Sequence, residues 1–325
     1  MWPVPFDDHS IKWYRSHLSN RTQIFQVGSQ NSKTFVIYCS VPQGSVLGAL
    51  KFVVYAEDLP AEIERYAIEH HLYADDTHLS DDPPITSITA SISNMEQCID
   101  AVHTWCSSKC LQLNPTKTEI IWLGTPASLK RLQHTDISLH VGSVTIKPTS
   151  VVRDFGVLLD SELSMRQHIG NITGLFYYHL QRLKNVRRIL GPTNTCRLVS
   201  AFVSSRLDYC NSILAGLSNS TIGHLLHVQN AAVHRVCGLG PCAHVTKSLH
   251  ELHGLPIRFC IVYKLCLMMH NVHMICCPRY ITPTAGLPTG NRSRLHSSAS
   301  INYELPVLHH KIGERDFSRA SWTVY

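Results

Sequence analysis

Asp75 and Asp76 stand side by side in the run His71-Leu72-Tyr73-Ala74-Asp75-Asp76-Thr77, and they are the residues of this chain best suited to chemistry. In a partly buried site two carboxylates a few ångströms apart repel, and one would stay protonated unless a divalent cation or a strong donor neutralised the pair. Mg²⁺ suits such a pair. It takes oxygen ligands, is held by one or two protein carboxylates, and completes its shell with water and substrate phosphates. The chemistry that follows is phosphoryl or nucleotidyl transfer, in which two metal ions clamp the attacking and leaving oxygens. An adjacent acid pair is weak evidence by itself, because such pairs are common in surface turns.

Strands and helices must position the pair. The run before it alternates like a strand, and Thr77-His78-Leu79 restarts the pattern at once. Upstream, Thr34 to Cys39 is alternating and rich in β-branched and aromatic residues, a strand that leads into Pro42-Gln43-Gly44. There Gly44 allows close backbone approach, and the Gln43 amide can hydrogen-bond a base or sugar edge. Val46, Leu47, Leu50, Val53 and Val54 recur at helical spacing, which predicts a helix packed on a sheet, with Lys51 interrupting the apolar run. After the break at Asp81-Asp82-Pro83-Pro84, Ile88, Ile92, Met95, Ile99 and Val102 predict an amphipathic helix on the same sheet. Lys117 precedes Ile120-Ile121-Trp122-Leu123, a predicted strand. Such a lysine either neutralises phosphate charge or donates a proton, or it is simply a solvated strand-edge residue. Val141-Gly142-Ser143-Val144 predicts a hairpin and Val151 to Leu159 one further strand. The order implies an α+β fold, a split βαβ sheet with helices on one face.

From Ser161 the period becomes helical. Ile169, Ile172, Phe176, Leu180, Leu183 and Val186 form one stripe, and Gly191-Pro192 stops the helix before a second one around Leu198, Phe202 and Leu207. Charge changes with period. Residues 54–165 hold 16 Asp and Glu against 7 Lys and Arg, whereas residues 166–235 hold 8 Lys and Arg against the single acid Asp208. An acidic, metal-attracting half thus precedes a basic half suited to a phosphate backbone, although a solvated basic face reads the same way.

Four motifs in order resemble the reverse transcriptases of LINE-type (non-LTR) retrotransposons: Val41-Pro42-Gln43-Gly44-Ser45-Val46-Leu47-Gly48, Tyr73-Ala74-Asp75-Asp76, Leu113-Asn114-Pro115-Thr116-Lys117 and Phe155-Gly156-Val157-Leu158-Leu159-Asp160. The resemblance implies a palm in residues 1–160 with part of the fingers, a helical thumb in 161–240 and a helical C-terminal extension in 241–325. It implies Asp75 and Asp76 as Mg²⁺ ligands, Gln43 and Gly44 at the dNTP pocket, and Lys117 on the phosphate side. The thumb would hold an RNA template and DNA primer through Arg182, Lys184, Arg187, Arg188 and Arg197, with Phe155-Gly156-Val157 at the primer end. Further similar stretches are 205–211, 228–232, 252–257 and 313–318.

One departure matters. The family's first palm acid lies a helix away from its Trp-containing segment, whereas Phe6-Asp7-Asp8 stands almost against Trp13. Either Asp7 or Asp8 imitates that ligand or the start is truncated, and activity is then absent or weak. The alternative function is a non-catalytic remnant that holds nucleic-acid duplex through its basic helix.

The remaining composition narrows the field. No apolar run reaches the roughly 20 residues of a membrane helix, no signal-peptide pattern follows Met1, and 12 irregularly spaced cysteines read as reduced thiols. The expectation is an intracellular protein, cytoplasmic or nuclear. The Cys237, Cys242 and His244 spacing fits no zinc pattern, His253 reads as a packing residue, and residues 278–300 read as a connector. Oligomeric state leaves no signal in the sequence.

Overall fold

The computed structural model describes residues 7–38, 47–240, 242–252, 254–274 and 276–277. Two compact units, Met1–Leu113 and Asn114–Tyr325, each have their own apolar core. Both combine helices with short antiparallel ladders, so the fold is α+β.

In the first unit, α1 (Asp8–Leu18) starts where the Asp7 carboxylate accepts a hydrogen bond from Ser10 N at 2.8 Å, an N-cap that holds this acid below its ordinary pKa. Two small ladders follow, β1 (Thr22–Gln23) with β4 (Phe35–Val36) and β2 (Gln26–Val27) with β3 (Gln30–Asn31). The strand expected over 34–39 is therefore only two residues long within the described part. Helix α2 (Gly48–Tyr55) buries none of its residues fully, contrary to its expected seat on a sheet. Only Phe52 reaches the core, while Leu50 and Val53 are more than half exposed. Lys51 is accommodated by aromatic faces: its ammonium lies 5.5 Å from the Tyr14 ring centroid and 6.0 Å from that of Trp13. After α3 (Leu59–Glu64), strands β5 (Glu69–Tyr73) and β6 (Asp76–Ser80) form a hairpin, and α4 (Ile88–Ser108) matches the predicted amphipathic helix. Ile63, Ile68, Cys98, Val102 and Trp105 make the core, against which Leu72 and Leu79 of the hairpin pack. Burial pushes the Cys98 and Cys106 thiols up.

The second unit begins with a single helical turn at Pro115–Lys117 and α5 (Pro126–Arg131). Between and after them no ladder forms at 120–123. Isolated backbone bonds stand in its place, Thr149 N to Ile120 O and Gly124 N to Ser161 O, each 2.9 Å. The hairpin of β7 (Leu139–Val141) and β8 (Val144–Ile146) forms as expected, with Gly142 at φ 59° in its turn. Residues 151–159 are not one strand. They fold into β9 (Val151–Asp154) and β10 (Val157–Asp160), because Phe155 and Gly156, at φ 43° and 83°, make a tight turn whose twist suits a two-residue hairpin. Each ladder among the described residues has two strands, so the single split βαβ sheet expected from the element order is not assembled.

Helix α6 (Arg166–Val199) is broken by Gly191 (φ 71°, ψ 171°) ahead of Pro192, at the predicted stop. A π-helical turn at Ser200–Ser204 leads to α7 (Ser205–Asp208), then α8 (Asn219–Cys237), α9 (Thr246–Glu251) and α10 (Ile257–His273). Ile169, Phe176, Leu180 and Leu183 of α6 pack with Leu225, Val228 and Val236 of α8 and Ile261 and Leu265 of α10. Truncating Phe176, fully buried, would cost about 3–5 kcal/mol. Val186, assigned to the same stripe, is instead exposed. Among the described residues no helix is long and apolar enough to cross a membrane.

Candidate active site

The β5–β6 hairpin presents the acid pair at its tip. Tyr73 pairs with Asp76 to close the ladder, and Ala74 and Asp75 form the two-residue loop. Strand alternation then sorts the side chains. His70, Leu72, Thr77 and Leu79 share the half-buried face, with the two leucines on the core; Tyr73, Asp76, His71 and His78 share the other. The His71 and His78 rings are 6.4 Å apart on that outer face, one rung from Asp76. Ala74 has φ 54°, the conformation that two-residue hairpin loops normally give to glycine, at a cost of about 1–2 kcal/mol for a residue with a Cβ. Strain of this kind is often concentrated where a loop serves function.

Asp75 and Asp76 are both exposed. Water therefore screens much of the repulsion between them. Among the described residues neither carboxylate takes part in a hydrogen bond or ion pair, so their oxygens are open to a hard cation. No group of three or more His, Cys, Asp or Glu side chains gathers anywhere among those residues. Asp7 and Asp8 thus do not complete the pair, and Asp7 is occupied in capping α1. The donor set still fits a divalent ion that needs only one or two protein oxygens.

The other predicted site residues are dispersed. Gln43 and Gly44 lie outside the described residues. Lys117 sits in the second unit, at the end of a helical turn capped by Asn114, whose Oδ1 accepts from Thr116 N (3.1 Å) and Thr116 Oγ1 (2.6 Å). On α6, Arg182 donates to Tyr178 Oη at 2.7 Å and lies over the same ring. Lys184, Arg188 and Arg197 are exposed. Arg187 is half-buried and donates to Val236 O (3.3 Å) at the end of α8, where it closes against Gly238. That contact satisfies a terminal helix carbonyl with a cation, a stabilising arrangement. Cys237 and Cys242 are free, exposed thiols, and His253 lies outside the described residues.

Motifs without evident chemistry in the sequence act as clasps. Asp160 Oδ1 accepts from Glu162 N (3.2 Å) and Ser164 N (2.8 Å), and its Oδ2 from Met165 N (2.8 Å) and Ser164 Oγ (3.1 Å). Tyr209 Oη donates to Phe155 O (2.7 Å), and Asp208 receives Asn211 Nδ2 (3.1 Å) and Lys264 Nζ (3.3 Å). Gln229 donates to Leu255 O (2.6 Å) and accepts from Ile257 N (3.0 Å), which fixes the start of α10. His168, buried under β10, accepts from Leu158 N through Nδ1 (3.3 Å), and desolvation lowers its pKa.

The profile of the reverse transcriptase (RNA-dependent DNA polymerase) family matches residues 4–147, the segment that contains the acid hairpin. Among curated proteins, the chain is 26% identical over 189 residues to the probable RNA-directed DNA polymerase from transposon BS of Drosophila melanogaster, covering 57% of this chain and 20% of that protein. It is 27% identical over 207 residues to the RNA-directed DNA polymerase from mobile element jockey of the same organism, covering 62% and 21%. The matched stretch is thus about a fifth of each relative's length. No solved structure matches the chain. The acid hairpin thus lies inside the segment, residues 4–147, that is similar to the reverse transcriptase family and to RNA-directed DNA polymerases of mobile elements.

Proposed function

We propose that the chain is a palm with part of the fingers, a helical thumb and a C-terminal extension of an RNA-directed DNA polymerase, with Asp75 and Asp76 as ligands for Mg²⁺. The observation that carries this reading is the exposed acid pair, without partners among the described residues, on a strained hairpin tip within the segment similar to the family. Bound there, Mg²⁺ would supply charge stabilisation to the phosphates of an incoming dNTP during attack by the primer 3′ hydroxyl. The chain's own residues would do the rest. The two aspartates hold charge at the hairpin tip, Leu72 and Leu79 lock the hairpin to the core with α4, and Lys117 is assigned to the phosphate side on its motif alone. Gln43 and Gly44 are assigned to the dNTP pocket on their motif. Two carboxylates with no third ligand among the described residues support weak turnover rather than robust polymerisation.

Primer extension on an RNA template with Mg²⁺, run beside Asp75→Ala, tests this. Low but template-dependent extension lost in the variant is the expected result, and extension equal in both proteins would refute the assignment. A second reading is favoured by the exposed Arg182, Lys184, Arg188 and Arg197: a clamp that holds template and primer duplex without chemistry. Salt-sensitive duplex binding weakened by charge reversal at Arg188, with no extension, would select it.

A further inference from the structure

A cleft of about 370 Å³ opens between the first turns of α6 and α8, lined by Arg166, Gly170 and Thr173 on one side and Ser220, Thr221 and His224 on the other, with Ile169 beneath. The two helices run in the same direction, since their starts meet at this cleft and Arg187 meets Val236 near their far ends. The positive end of α8 therefore lies at the cleft beside Arg166; the start of α6 already has the Asp160 carboxylate on Ser164 N and Met165 N, and no carboxylate lines the cleft itself. Neither the Arg166 guanidinium nor the His224 imidazole has a side-chain partner among the described residues, and both residues are exposed. Thr173 Oγ1 is buried without a hydrogen-bond partner.

Proton counting at the rim adds a donor. Ser218 Oγ accepts from Thr221 N (3.3 Å) and lies 2.8 Å from both the Ser220 and the Thr221 hydroxyls. With two lone pairs and one proton, it can accept from only one of those hydroxyls and must donate to the other. The hydroxyl that accepts keeps its own proton for a ligand. Arginine, imidazole and hydroxyl donors around one cleft suit a tetrahedral oxyanion.

We propose that this cleft binds a phosphate group, independently of the acid hairpin in the other unit. Nucleic-acid backbone and small phosphate compounds share that chemistry, and one titration separates them. Amide shifts of the full chain are followed with inorganic phosphate, then with a short single-stranded oligonucleotide added as competitor. The expected result is saturable movement at Gly170, Thr173 and 220–224, at least tenfold weaker in Arg166→Gln and lost in Gly170→Leu. The second variant is the control for folding. A Cβ at Gly170 meets nothing within 4 Å, and leucine favours a helix more than glycine does, so the side chain fills the cleft without loss of stability. Displacement of phosphate by the oligonucleotide identifies a backbone site, and its failure to displace identifies a small-molecule site. Absence of movement at the cleft with either ligand, or binding unchanged in both variants, overturns the proposal.

Discussion

Replacing Asp160 with asparagine should destabilise the second unit by about 3 kcal/mol. The carboxylate gathers four donors from residues 162–165 just ahead of α6, and in that loop Leu163 and Met165 both adopt positive φ, 50° and 59°. Asparagine keeps one carbonyl oxygen for Glu162 N and Ser164 N but presents an amide group to Met165 N. Met165 is 2% exposed, so its N–H would have no water to turn to, and an unsatisfied buried donor costs about 1–3 kcal/mol. The two retained bonds lose their charge assistance, about another 0.5–1 kcal/mol each. These contributions share one network and are not strictly additive. Native-state hydrogen exchange reads the result locally. Amides of α6 between Ile169 and Leu180 should exchange about a hundredfold faster in Asp160→Asn, because each 1.4 kcal/mol is a factor of ten. Acceleration below threefold would refute the reasoning, since it would mean that the loop holds its shape without the carboxylate.

Four further outcomes follow from named contacts. Ala74→Gly should stabilise the hairpin of the first unit by about 1 kcal/mol by relieving the positive φ, measurable as slower exchange at Leu72 and Thr77. Gln229→Leu should cost about 2 kcal/mol in urea unfolding, because it deletes both amide bonds to the Leu255–Ile257 segment. For His168 the folded pKa lies below the unfolded value of about 6.5, so the unfolded chain binds the proton first. Its contribution is full above that value and is lost as pH falls through the lower, folded pKa; urea midpoints of His168→Gln should lack this part of the acid loss. Alkylation at pH 8 should label Cys110, Cys237 and Cys242 well before Cys98 and Cys106, whose thiols burial keeps protonated.

Local signals carried furthest from sequence to structure. The spacing of Ile88, Ile99 and Val102 reads directly as α4, Gly142 as the turn between β7 and β8, and Gly191-Pro192 as the break in α6, because each depends on residues within a few positions. The acid pair is legible for the same reason, as a polar interruption between two alternating runs. The β9–β10 hairpin is hidden because Val151-Val152 and Val157-Leu158-Leu159 read together as one apolar strand around Arg153-Asp154-Phe155, and only Gly156 marks the turn. Sheet assembly is another matter. It depends on pairing between distant segments, which periodicity does not encode, and among the described residues separate two-stranded ladders stand where element order suggested one sheet. Arg187 illustrates the same limit from the side of function. In sequence it is one cation of a basic helix, but its contact with Val236, 49 residues away, gives it a structural task.

The residues singled out from the sequence motifs are of two kinds. In the first unit Asp75 and Asp76 are exposed side chains whose carboxylates support no contact of the fold among the described residues. In the second, the side chains close the structure: Asp160 over the start of α6, Tyr209 on the carbonyl of the strained Phe155 turn, Gln229 at the start of α10. The two classes should part cleanly in measurement. Asp75→Ala should leave urea midpoints within about 0.5 kcal/mol of the parent, as surface substitutions do, and remove any extension. Tyr209→Phe should lower stability by about 1 kcal/mol through the lost bond to Phe155 O, and leave any Mg²⁺ affinity of the acid hairpin unchanged. If Asp75→Ala proved as destabilising as Tyr209→Phe, the acid pair would belong with the clasps, and the turn it occupies would need no metal to explain it.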